Sequence, residues 1–155
     1  MVSRYLLSFP LLLIVLAGCS TLGTHRNVNN DEQVQKAGIE ISEEQLLDVW
    51  IEVFTPGDLP DDEEAASGLS SEIREAEARY MPLQLRDTME KTGYWGAVRV
   101  VPQGTEGGEL LVRGSILVSD GENLELDITA LDAAGNEWFS STYEAKVSVE
   151  AYQGA

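Results

Sequence analysis

Across residues 46–54 the apolar Val49, Ile51 and Val53 alternate with Asp48, Trp50 and Glu52, the period-two pattern of a strand. Ser42 and Gln45 have the spacing of a capping box, which opens helices, but the β-branched content favours a strand over 46–54, stopped by Thr55-Pro56-Gly57. Helical spacing takes over beyond Ser70. Ile73, Ala76, Tyr80 and Leu83, with Leu85 and Met89 further on, predict a buried stripe. Ser70 or Ser71 supplies the N-cap, and Glu72, Glu75 and Glu77 sit in the early turns, where the helix dipole favours anions. Lys91 falls near the last turn and Gly93 ends it. Pro82 has no N–H for the carbonyl four residues back, which predicts a kink near Ala78 or Arg79, or two shorter helices.

From Trp95 onward the period returns to two. Residues 96–101, 109–119, 124–131 and 137–149 predict four consecutive strands, with Asp120-Gly121 as a hairpin turn and 132–136 as a second hairpin loop. Gly104, Gly107 and Gly108 lack the strand-loop-helix context and the lysine of a phosphate cradle, so 102–108 is expected to be a hairpin loop as well. In the strand 124–131, Leu124, Leu126, Ile128 and Ala130 face one way and Glu125, Asp127 and Thr129 the other, giving a dry and a wet face. Phe139, Tyr143, Val147 and Val149 alternate along the last strand. The expected fold is α+β in the order β-α-β-β-β-β, one main helix packed on a mostly antiparallel sheet of about five strands.

The N-terminus follows different rules. Arg4 precedes an apolar run over residues 5–17, broken by Ser8 and Pro10. That run falls short of the roughly 20 apolar residues a membrane span needs, and fits a signal-peptide core instead. It ends in Leu16-Ala17-Gly18-Cys19, whose cysteine is the only one in the chain. These four residues resemble the lipobox of bacterial lipoproteins. The resemblance implies cleavage between Gly18 and Cys19, diacylglycerol on the Cys19 thiol and an acyl chain on the new amino group. Ser20, where aspartate resembles an inner-membrane retention signal, then favours an outer-membrane anchor facing the periplasm. Domain organisation follows: 1–18 signal peptide, 19–36 lipidated cysteine and flexible tether, 37–155 a single acidic domain.

The formal charge of −17 becomes one unit more negative once Arg4 is removed. Such a balance argues against nucleic acid and flat binding to anionic lipid; it suits a basic partner, a cationic ligand or a saline habitat alike, with solvation of the surface the simpler reading. The acidic loop with Asp58, Asp61, Asp62, Glu63 and Glu64 offers carboxylates for calcium but lacks the spacing and central glycine of a calcium loop. His25, the sole histidine, lies in the tether, so no Ser-His, Cys-His or His-rich metal arrangement is available. Asp127 and Glu144 are a possible carboxylate pair across neighbouring strands, with wet-face charges the simpler reading. Trp50, Tyr94, Trp95 and Trp138 are candidate partner contacts, because large rigid rings anchor interfaces; rings in a small core are commoner.

The helix ending Thr92-Gly93, the strand Ala97-Val98-Arg99-Val100, the strand Leu110-Leu111-Val112-Arg113-Gly114 and the turn Leu131-Asp132-Ala133-Ala134-Gly135 resemble periplasmic lipoprotein domains of the TolB N-terminal type, the curli-secretion lipoprotein and penicillin-binding-protein activators. Arg79-Tyr80-Met81-Pro82-Leu83 followed by Gly93-Tyr94-Trp95-Gly96 is similar to uncharacterised proteobacterial lipoproteins. The combined expectation is a non-enzymatic, membrane-tethered module that binds an envelope protein, with no cofactor beyond the covalent lipid and the oligomeric state left open. The alternative is a calcium- or ligand-binding domain, or an enzyme using acidic residues.

Overall fold

In the computed structural model, which describes residues 24–27, 33–59 and 70–146, one helix packs on a mixed sheet. The elements are β1 (Thr24–Asn27), a single 3-10 turn at Glu43–Gln45, β2 (Val49–Glu52), α1 (Ser71–Thr92), β3 (Val98–Val101), β4 (Leu110–Ser119), β5 (Asn123–Asp132) and β6 (Glu137–Lys146). The expected α+β class and the order from β2 to β6 hold. The sheet order is β1-β6-β5-β4-β2-β3. β4, β5 and β6 form the long antiparallel meander, whereas β2 pairs in parallel with both β3 and β4. The four-strand meander expected after the helix is therefore one of three strands, with β2 inserted ahead of it. The capping-box spacing at Ser42 yields only the 3-10 turn. β1 lies inside the segment assigned to the tether and pairs in parallel with β6, Thr24 opposite Ser141. Residues 1–18, Gly18, Cys19, Asp61, Asp62, Glu63, Glu64, Val147 and Val149 lie outside the described residues, as does the side chain of His25.

Because β3 and β4 flank β2 and run the same way, residues 102–109 must return across β2; they do not form the expected hairpin. The return runs over the face that carries Trp50. A Cβ on Gly107 would lie 2.5 Å from the indole and one on Gly108 2.8 Å, and both glycines have positive φ, so only bare backbone can cover this ring. The two ends are tied down electrostatically. The buried Glu52 accepts a hydrogen bond from the Gly104 amide (3.1 Å) and pairs with Arg113 (3.3 Å). Glu109 accepts from the Asp48 amide at 2.8 Å.

On the opposite face, Val49, Ile51, Val98, Leu110, Val112, Ile116 and Ala130 form the core with Phe54 and Ala78. Ser70 caps α1 by accepting from the Ile73 amide (3.2 Å), and Gly93 closes it at φ 72°. The helix is continuous through Pro82, with neither the expected break nor two pieces. The carbonyl that Pro82 leaves free belongs to Ala78, and the Phe54 amide donates to it at 3.0 Å. The missing helical bond is thus replaced by a bond from the chain leaving β2. That bond sets the rotation of α1. It brings Arg74, Ala78 and Pro82 to the sheet, with Met81, Leu85 and Met89 beside them. The expected stripe is corrected accordingly: Ile73, Ala76, Tyr80 and Leu83 are exposed, while Leu85 and Met89 do pack on the core. The Phe54 amide, although outside every strand, should exchange with deuterium as slowly as that of Ile51. Exchange at the rate of an exposed loop amide would rule out the bond to Ala78.

Candidate functional site

The alternation in β4, β5 and β6 sends Leu110, Val112, Leu126, Ile128, Ala130, Phe139 and Tyr143 to the helix side of the sheet, as the dry face in the sequence requires. α1 packs on β2 and β3; on the meander Leu110, Val112, Ile116 and Ala130 are buried, while among the described residues Leu126, Ile128 and Tyr143 stay half-buried and Phe139 exposed. The result is an apolar groove of about 440 Å³, walled by Met81, Leu85, Met89 and Trp95 and floored by the three meander strands and Phe54. Its volume falls within the range of about 300–1,000 Å³ found for ligand sites. The lining carries no carboxylate, amine or imidazole. What such a lining does well is exclude water from apolar surface.

Both turns of the meander are acidic, with Lys146 of β6 opposite Asn123 beside the first. At the β4–β5 turn, hydrogen bonds from the Asn123 side chain and from the amides of Asn123 and Glu122 hold the Asp120 carboxyl at about 2, below the ordinary 3.8. At the β5–β6 turn, the Asn136 side chain and amide lower Asp132 in the same way. These carboxylates are ionised at neutral pH and give each end a fixed negative charge. Because the folded-state pKa of Asp120 is depressed, its contribution to stability is present above 3.8 and lost as pH falls through about 2. Acid titration followed by circular dichroism should therefore show the β4–β5 hairpin weakening across that window, less so in Asp120→Ala. Among the described residues, the one buried cation is Arg74, whose Nη1 lies 3.7 Å from Glu77; Glu77 in turn accepts from Ser119 (2.9 Å) and ties α1 to the end of β4.

The four aromatic candidates do not form one patch. Trp50 lies under the glycine crossover on the far face, and Tyr94 is exposed with its hydroxyl donating to the Lys36 carbonyl (3.1 Å). Trp138 is exposed in β6, and only Trp95 lines the groove. Asp127 stands opposite Thr142 and Glu144 opposite Glu125, so the candidate carboxylate pair is a diagonal on the wet face. Asp58 is exposed. No described helix is long and apolar enough to cross a membrane.

No family model, curated protein or solved structure matches this chain. Among the described residues the groove is then the main guide to function. Leu126, Ile128 and Phe139 are on the face that the strand pattern predicts. Met81 is not in the predicted stripe, because the stripe is displaced when Pro82 and Ala78 turn toward β2. The one sequence signal for this is Pro82 itself, whose freed carbonyl needs a donor from outside the helix.

Proposed function

We propose that the chain is a membrane-tethered periplasmic lipoprotein whose domain acts as a non-enzymatic protein-binding module of the cell envelope. The observation that carries the binding role is the apolar groove beside α1, where among the described residues the core face continues onto the half-buried Leu126, Ile128 and Tyr143 and the exposed Phe139. An uncovered core face loses free energy of about 25 cal/mol for each Å² left in water, which a partner recovers on docking. Phe139, 43% exposed at the rim, is the ring most available to one.

The lipobox supports the tether. Four residues lie between Cys19 and Thr24, a reach of at most roughly 18 Å when extended. Thr24 pairs with Ser141, between Phe139 and Tyr143, so a lipid on Cys19 keeps the β6 rim of the groove near the bilayer. The negative surface charge meanwhile disfavours lying on anionic headgroups. In this reading the lipid sets location and the groove sets partner.

Photocrosslinking in intact cells tests it, with a benzophenone side chain placed at Met89 or Phe139 in the groove and at Thr142 on the opposite face. A discrete heavier adduct is expected from the groove positions alone. Monomer only at both groove positions, or the same adducts from Thr142, would overturn the groove as the working surface.

A further inference from the structure

We infer that the groove takes one acyl chain of the protein's own Cys19 lipid when the protein is in water and gives it up to the bilayer when the protein is anchored; this rests on Cys19 being lipidated. The lining names the chemistry. Apart from the thioethers of Met81 and Met89, only Trp95 and Tyr143 among the described lining side chains carry a polar atom. An extended peptide would bring an N–H and a C=O at every residue into this surface, each left without a partner. A helix is too thick. The wall from Met81 to Met89 is about 12 Å long, so 440 Å³ gives a mean cross-section of roughly 40 Å², against roughly 80 Å² or more for a helix. At the bottom, Phe54, Leu110, Val112 and Ala130 are at most 5% exposed, so a helix would rest on the rim with space beneath it. A single hydrocarbon chain packs with about 4 Å between carbon centres and reaches that bottom. Met81 and Met89 suit it, because unbranched thioether side chains adapt to a chain that bends.

The tether names the source. With four residues between Cys19 and Thr24, the lipid lies within roughly 18 Å of Thr24. Thr24 stands opposite Ser141, between Phe139 at the rim and Tyr143 in the lining, so the lipidated end emerges on the β6 side of the groove. A link this short gives an effective concentration in the millimolar range, which favours this chain over one arriving free from solution. The bilayer is the stronger competitor. It buries every methylene, whereas the groove leaves the outer side of a chain wet past the half-buried Leu126 and Ile128. Each methylene buried in one place and wet in the other weighs roughly fourfold, so two are enough to empty the groove at a membrane. The tail therefore fills the groove in water and leaves it open to a partner once the protein is anchored, which confines partner binding to the membrane-bound form.

The test uses lipidated protein purified from membranes, with a benzophenone side chain at Phe139 or, on the opposite face, at Thr142. The excited ketone inserts into C–H bonds of a hydrocarbon chain, and Phe139, 43% exposed, has room for the larger ring. An equal mixture of ordinary and nitrogen-15 protein separates a molecule's own lipid from a neighbour's. In detergent-free buffer, light followed by trypsin should join peptide 114–146 to the acyl chain of peptide 19–26 from the same molecule. The yield should be at least about tenfold above that from Thr142 and above that in phosphatidylcholine vesicles. With the groove unaltered, the methyls of Met81 and Met89, the only methionines beyond residue 18, should show nuclear Overhauser contacts to acyl methylenes in buffer. Adducts joining only light to heavy protein, equal yields from Thr142, or phospholipid adducts at Phe139 in vesicles would each overturn the inference. So would the lack of both adduct and methyl contacts in buffer while intact mass shows the lipid on Cys19, an outcome that leaves the tether and the groove's protein-binding role standing. An unmodified Cys19 would remove the tether and this inference together.

Discussion

Replacing Phe54 with alanine should lower the unfolding free energy by about 3–5 kcal/mol, a large part of the roughly 5–15 kcal/mol that holds a domain of this size. Phe54 is the largest of the fully buried side chains and sits where three elements meet. Its amide holds Ala78 of α1 at 3.0 Å, and the amides on either side return to the sheet, Val53 to the Val101 carbonyl and Thr55 to the Gly114 carbonyl. The ring therefore fills the space between a helix fixed at Ala78 and a sheet fixed at Gly114, and neither can close over the void alanine would leave. Chemical denaturation of Phe54→Ala should show the midpoint falling with little change in slope. A loss under 1 kcal/mol would mean that the helix and sheet collapse together, against the geometry of those bonds.

Gly114→Ala should destabilise from the other direction. A Cβ on Gly114 would lie 2.5, 2.6 and 2.7 Å from three atoms of the Phe54 ring, closer than any carbon pair tolerates. The ring is buried and held beside Gly114, so the cost is that of overpacking, about 1–3 kcal/mol. The two substitutions act on one volume, and their effects should not add. In a Phe54→Ala background the Gly114→Ala methyl enters the cavity, so its cost should vanish or change sign. Additive losses in a double-mutant cycle would show that Gly114 is required for some reason other than this ring.

How far the fold could be read from sequence depended on whether the deciding interaction was local. β4, β5 and β6 and their two faces follow from alternation and from the turns at Asp120-Gly121 and Asp132 to Gly135, each settled within a few residues. The place of β2 does not. Its insertion between β3 and β4 rests on parallel pairing and on Trp50 accepting Gly107 and Gly108 from far along the chain, which no local pattern announces. The helix showed the same division. Its caps at Ser70 and Gly93 were legible, but its rotation was not, because a backbone bond from Phe54 to the carbonyl freed by Pro82 outweighs the apolar residues that turn outward, Ile73, Tyr80 and Leu83.

The groove falls between these cases. Its floor was written in the dry face of β5, in Leu126, Ile128 and Ala130, and its rim in Phe139 and Tyr143. That its β5 and β6 side stays partly open was not, since it depends on α1 resting over β2 and β3. Of the rings at Trp50, Tyr94, Trp95 and Trp138 only Trp95 reaches the groove, and of the methionines beside it Met89 falls in the helical stripe while Met81 does not.

An envelope-facing groove requires a lipid on Cys19 to hold it there. Intact-mass measurement of the protein extracted from membranes addresses this directly. The expected species begins at Cys19, lacks residues 1–18, and carries the added mass of a diacylglyceryl group and an acyl chain, with Cys19→Ala remaining unlipidated and uncleaved at Gly18. A membrane-bound protein beginning at Met1, or one cleaved after Gly18 with an unmodified cysteine, would contradict it.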